Sequence, residues 1–161
     1  MKDFVDQMVN DIVEDSRKAV RKAMNETAKQ IERDFLTQAK IYLDNYYMEY
    51  DPDWYKRTDN LRENSLHPSR RYRANVVEAG IEFSSVDMKP YSRHPNAKPW
   101  EPRTFATLED YVLFNAMYGF HGNEDIHSGT KIDDEMAQYL QWYGDNMLDK
   151  ILDKNMAKFF D

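Results

Sequence analysis

Apolar side chains in the first fifty residues recur at Val5, Val9, Ile12, Val13, Val20, Met24, Ala28, Ile31, Phe35, Ala39, Tyr42, Leu43 and Tyr46. The steps are mostly three and four, the spacing of one helix face. Neither Gly nor Pro interrupts the stretch, and Lys, Arg, Glu, Gln and Asp fill the positions between, as an exposed helix face tolerates. Glu14 stands four before Lys18, and Glu26 three before Lys29. At those spacings opposite charges meet on a helix. Unbroken, such a helix is about 75 Å long at 1.5 Å per residue, more than one small domain can cover. Part of its stripe must therefore bury against another subunit, or the helix must bend or break. The weakest stretch is 15–22, where Ser16 and Ala19 thin the stripe.

Pro52 removes the helical option for Asp51 and ends the element. Tyr46, Tyr47, Tyr50, Trp54 and Tyr55 cluster around this end. Such a cluster locks a helix end onto its own domain or serves as a binding surface for another chain; the first reading is the favoured one. Residues 61–66 form either a short strand or a turn of helix. Residues 72–88 alternate in part, with Val77, Ala79, Ile81 and Phe83 on one side and Val76, Glu78, Gly80 and Glu82 on the other. Gly80 in mid-strand predicts a bulge or close packing against another backbone. Pro90, Pro95, Pro99 and Pro102 argue against regular structure over residues 89–103, which read either as a stiffened, extended arm suited to docking on a neighbour or as a disordered surface loop.

The spacing predicts a helix over 107–117, with Thr107 as cap, Glu109 and Asp110 in the first turn, and Leu108, Val112, Phe114 and Tyr118 as apolar contacts. Gly119, Gly122 and Gly129 predict a loop after it. A final helix is expected over 133–159, with Met136, Leu140, Tyr143, Met147, Ile151 and Phe159 near one face and Gly144 weakening its middle. The whole is one α+β domain over 1–161: a long N-terminal helix packed on a small, mostly antiparallel sheet, a proline-rich arm, and a C-terminal helix. Its parts are 1–50, 51–104 and 105–161.

Composition narrows the function. The 161 residues carry a net charge of −7, and the aromatic share is 14%. Charge is uneven: residues 105–161 hold 4 basic and 11 acidic side chains, whereas 51–104 hold 10 and 8. Acidic chains are poor general nucleic-acid binders. The one basic cluster, Arg70, Arg71 and Arg73, reads first as a solvated loop or an edge strand blunted by charge. With no cysteine, disulfides, thiol catalysis and cysteine-held metals are excluded. No apolar run reaches the ~20 residues of a membrane helix, and the N-terminus is acidic within three residues and lacks the apolar stretch of a signal peptide, so assembly in the cytoplasm is expected. His121, Glu124, Asp125 and His127 are the best metal candidates, although their spacing matches no helical ligand pair. No nucleophile elbow, phosphate-cradling loop or zinc-protease motif occurs. The acidic runs Asp133, Asp134, Glu135 and Glu109, Asp110 sit at helix starts, where the dipole accounts for them. No active site and no cofactor is expected.

The run Tyr55, Lys56, Arg57, Thr58, Asp59, Asn60, Leu61 with Ser65 resembles the Arg-Thr corner that follows the first helix in head–tail joining and tail-completion proteins of long-tailed bacteriophages. Tyr111, Val112, Leu113, Phe114 and Asn115, with Tyr118, Gly119, Phe120, His121 and Gly122, resemble the stretch in which members of that family meet a neighbour. The order of elements is similar along most of the chain. Asp59 stands where the family usually has glycine. The resemblance implies a non-catalytic α+β subunit of the virion neck, arranged as a ring between head connector and tail tube. Its partners would be further copies and other neck, connector or tail-tube proteins. An acidic lumen would let DNA pass without specific binding, since phosphates are repelled. Interface or structural candidates are Tyr46, Tyr47, Tyr50, Trp54, Tyr55, Arg57, Thr58, Leu61, Trp100, Phe114, Tyr118, Phe120 and His121. Two other readings compete: an acidic inhibitor occupying a basic site on a host protein, and a metal-dependent hydrolase using His121 and His127.

Overall fold

In a computed structural model, which describes residues 2–49, 59–73, 76–91, 105–118 and 132–160, the first element is one unbroken helix, α1 (Lys2–Glu49, 48 residues). At 1.5 Å per residue it is about 72 Å long. Its buried positions are Ala23, Thr27, Ala28, Glu32, Phe35, Ala39, Leu43 and Tyr46, again in steps mostly of three and four. The expected ion pairs form on its open side, with Lys18 Nζ 3.1 Å from Glu14 and Lys29 Nζ 2.7 Å from Glu26. Residues 4–15 are all exposed.

A short helix, α2 (Asn60–Asn64), leads into a two-stranded antiparallel hairpin, β1 (Leu66–Arg73) and β2 (Val76–Phe83). Residues 61–66 thus resolve mainly to helix. The register runs without a bulge from Leu66 opposite Phe83 to Arg73 opposite Val76. Gly80 sits in the ladder opposite Ser69, and a Cβ there would meet nothing within 4 Å. The bulge or close approach expected at Gly80 is therefore absent; the position is simply open. β2 presents Val77, Ala79, Ile81 and Phe83 inward, half-buried, and Val76, Glu78 and Glu82 outward.

The basic cluster lies on β1. Arg70 reaches back to α1: its Nε donates to Glu32 Oε1 at 2.8 Å and its Nη2 to Glu32 Oε2. Arg71 and Arg73 stay exposed on the strand, as charge on a strand edge would. Beyond β2, the side-chain amide of Asn60 holds both sides of Lys89. Its Nδ2 donates to Lys89 O at 2.6 Å, and its Oδ1 accepts from Lys89 N at 2.9 Å.

Among the described residues three helices follow: α3 (Leu108–Tyr118), α4 (Ile132–Asn146) and α5 (Leu148–Phe160). Thr107 caps α3 as expected, its Oγ1 accepting from Asp110 N at 3.1 Å. The single final helix expected over 133–159 is two, interrupted at Met147, one turn after Gly144. Gly144 has open space around it, and glycine is a poor helix former. The hydrogen bonds from Met147 N to Tyr143 O and from Ile151 N to Met147 O, 2.9 and 3.0 Å, carry the chain through the join. Leu140, expected on the inner face, is exposed, and Tyr139 takes its place against the core. Positions 136, 139, 143 and 147 form one column of steps of three and four, and 140 falls beside it.

Two clusters use different stretches of α1. Phe35 meets Tyr143 and Ile151, with edge-on ring contacts of 5.6 Å to Tyr139 and 5.1 Å to Tyr143. Further along, Ala39, Leu43 and Tyr46 join Leu61, Leu66, Met88, Tyr91, Leu108, Val112, Ala116 and Ile132. Polar contacts set the direction of the return. Tyr143 Oη donates to Asp34 Oδ2 at 2.6 Å, and Asn155 Nδ2 to Thr27 Oγ1 at 3.1 Å. Numbers fall on one side as they rise on the other, so α4 and α5 run antiparallel to α1.

Candidate functional site

The return of α5 ends too early to cover the start of α1. Asn155 lies beside Thr27 and the helix stops at Phe160, which leaves an overhang. On it Phe4 is 67% exposed and Ile12 62%, with Val5, Met8, Val9 and Val13 between 42% and 53%. The spacing of these six residues puts them on one face, an apolar ridge about 15 Å long. Scattered exposed apolar residues are ordinary, but a contiguous ridge marks an interaction surface.

The ridge runs into a groove. Ile12, Val13, Ser16, Val20 and Met24 of α1 form one wall and Tyr72, Val76 and Val77 at the end of the hairpin form the other; Arg17, Arg21 and Asn25 complete a cavity of about 870 Å³. Tyr72 and Val76 are themselves more than half exposed. β1 and β2 hold them there because the hairpin packs along α1 and the Arg70 to Glu32 contact fixes its tilt. The groove is thus apolar at its floor, with two guanidinium groups at its lining. Among the described residues its lining includes the hydroxyls of Ser16 and Tyr72 but no carboxylate and no imidazole.

The predicted interface residues fall elsewhere. Tyr46 and Leu61 are fully buried, and Tyr47 is half-buried beside them. These residues pack inside the chain, Tyr46 and Leu61 in one buried cluster with Tyr47 against it. Phe114 lies between Phe105 and Tyr118 in tilted ring contacts, with centroids 4.9 and 4.8 Å away, and Tyr118 is exposed. Tyr50, Trp54, Tyr55, Arg57, Thr58, Trp100, Phe120 and His121 lie outside the described residues, as do the proline-rich arm from residue 92 and the loop with Glu124, Asp125 and His127. Among the described residues no three His, Asp or Glu side chains are grouped to hold a metal ion. No described helix is long and apolar enough to cross a membrane. Tyr72 and Val76 were not expected at a site; the signal was an apolar pair beside a charged edge strand.

Burial shapes the tyrosine chemistry around the core. It pushes the Tyr47 hydroxyl up to about 12. It also raises Tyr91, helped by the adjacent Tyr47, and Tyr143, helped by the Asp34 carboxylate that accepts its hydrogen bond. The unfolded value is about 10. A folded value above it means that the neutral tyrosines stabilise the fold fully below about pH 10, and that this stability is lost as pH rises toward the folded value. Denaturant titrations at successive pH values are expected to show a falling unfolding free energy from about pH 10 to 12, with a shallower fall for Tyr47→Phe. An equal slope in the variant would refute the assignment.

Compared with known proteins, the chain matches no family model, no curated protein and no solved structure.

Proposed function

We propose that this chain is a non-catalytic assembly subunit whose overhanging rod packs against neighbouring copies, and that it works as a ring in the neck or tail-completion complex of a long-tailed phage virion. The observation that carries the assembly reading is the exposed ridge Phe4, Val5, Met8, Val9, Ile12 and Val13. Leaving such a ridge in water forgoes about 25 cal/mol for each Å² of apolar surface that a partner could cover. The resemblance of the Arg57 and Thr58 corner, and of the 111–122 stretch, supports the place in the virion. A net charge of −7 suits a subunit beside passing DNA, because like charge disfavours adhesion.

Solution mass by light scattering, and electron microscopy of purified protein and of particles, test this reading. A closed ring is expected, and the chain should co-purify with virions. A strict monomer absent from particles would sink it. Replacing Ile12 with Asp should weaken self-association by roughly thirtyfold or more, the effect of losing one buried anchor worth about 2 kcal/mol. Since Ile12 is exposed in the single chain, the variant should keep the wild-type melting temperature when dilute.

A further inference from the structure

The geometry points to the occupant of the groove: the leading segment of α1 from a second copy of this chain. The inference rests on the assembly reading above and specifies how two copies meet. The rod has two halves of opposite charge. Residues 2–15 carry five acidic side chains and one basic, whereas 16–25 carry four basic and none acidic. The first half bears the ridge, and the second, continuing from Ile12 and Val13 where the two meet, forms most of the groove wall with Tyr72, Val76 and Val77. Within one copy these halves lie end to end on one helix and cannot touch. Between two copies they can.

The matching extends to position. Asp6 and Asp11 border the ridge on its two flanks. Eleven residues later, about three helical turns and so on the same faces, Arg17 stands where Asp6 stood, and Val20 and Met24 stand where Val9 and Val13 stood, with Arg21 beside them in the groove. A ridge edged with acid therefore meets a groove lined by the guanidinium groups of Arg17 and Arg21, apolar centre against apolar centre. Arg17, Arg21 and Lys22 make no ion pair among the described residues, and neither do Asp6 and Asp11. Lys18 is already held by Glu14 and Asp15. The charges left over on the rod are thus of both signs and are separated along it. Complementary charge of this kind selects the partner and fixes register, while the ridge supplies the attraction. A foreign partner would need to reproduce both the acid edges and the apolar spacing that this chain already has.

The test uses the full-length chain and charge reversal at exposed positions. Asp6→Lys with Asp11→Lys gives one variant, and Arg17→Glu with Arg21→Glu, both on exposed groove-lining residues, the other. Each alone should keep wild-type circular dichroism and self-associate roughly tenfold more weakly, or worse, by sedimentation. An equimolar mixture should recover wild-type assembly, because the basic ridge of one fits the acidic groove of the other. Folded variants that assemble as well as wild type, or a mixture that fails to recover, would overturn the seating. The two readings fail separately. Wild-type dimers that never close into larger rings, with charge reversal acting as stated, keep the seating and overturn the ring. Rings unaffected by charge reversal do the opposite.

Discussion

Phe35→Ala is expected to destabilise the fold by about 3–5 kcal/mol, the range for truncating a buried aromatic ring. For a chain of this size that lowers the melting temperature by roughly 6–20 °C, at 2–4 °C for each kcal/mol. The ring is 5% exposed and is the α1 contribution to the cluster with Tyr143 and Ile151. Losing it removes both edge-on ring contacts, to Tyr139 and to Tyr143. The surroundings have little room to collapse, since α1 is one continuous helix and the opposing wall is pinned by the Tyr143 to Asp34 hydrogen bond. Urea unfolding of the dilute protein would measure the change. A loss under about 1 kcal/mol would mean that α4 and α5 are not docked on α1 as described.

Leu43→Ala should cost about 2–5 kcal/mol. Leu43 has no exposed surface and sits among Leu61, Val112 and Ile132 in the second cluster. Its removal opens a cavity where four separate elements meet, so no single element can shift to fill it. Phe35 and Leu43 are eight residues apart on a straight rod, about 12 Å. At that distance effects add to within about 0.5 kcal/mol. The double variant should therefore lose the sum of the two single losses, close to the whole stability of an ordinary domain. A double loss well below that sum would show that the clusters communicate, and Ile81 and Met136, which touch both, would be the carriers.

Much of this architecture is legible in the sequence where one physical rule dominates. The three-four stepping along residues 5–46 produces α1, the charge spacings produce its surface ion pairs, and Thr107 produces the start of α3. The faces of β2 follow from alternation at 76–83. β1 is different. Pro68, Arg70, Arg71 and Arg73 have no strand pattern of their own, and they are extended because β2 pairs with them. Tertiary context likewise decides Asn60, whose amide laces a segment 29 residues away. The site was legible as a surplus, a stripe too long for its own domain, but not as a place. The aromatic density around Tyr46 is ambiguous in sequence, because large rings mark buried anchors as readily as binding surfaces, and Tyr46 itself is buried. The groove needs the hairpin folded against α1, and no local pattern announces that.

The antiparallel return of α4 and α5 has a consequence for synthesis. Thr27 waits for Asn155, 128 positions later. At ribosomal speeds of about 5–20 residues per second, roughly 6–26 seconds separate their appearance. For that interval Ala28, Ile31 and Phe35 emerge into water without the surface that finally shelters them, beside a ridge that stays bare in the finished subunit. Nascent chains on one message are thus most prone to cling to each other while half made, and a chaperone that shields residues 4–35 should raise the yield of correctly built subunits more than one that acts on the completed chain.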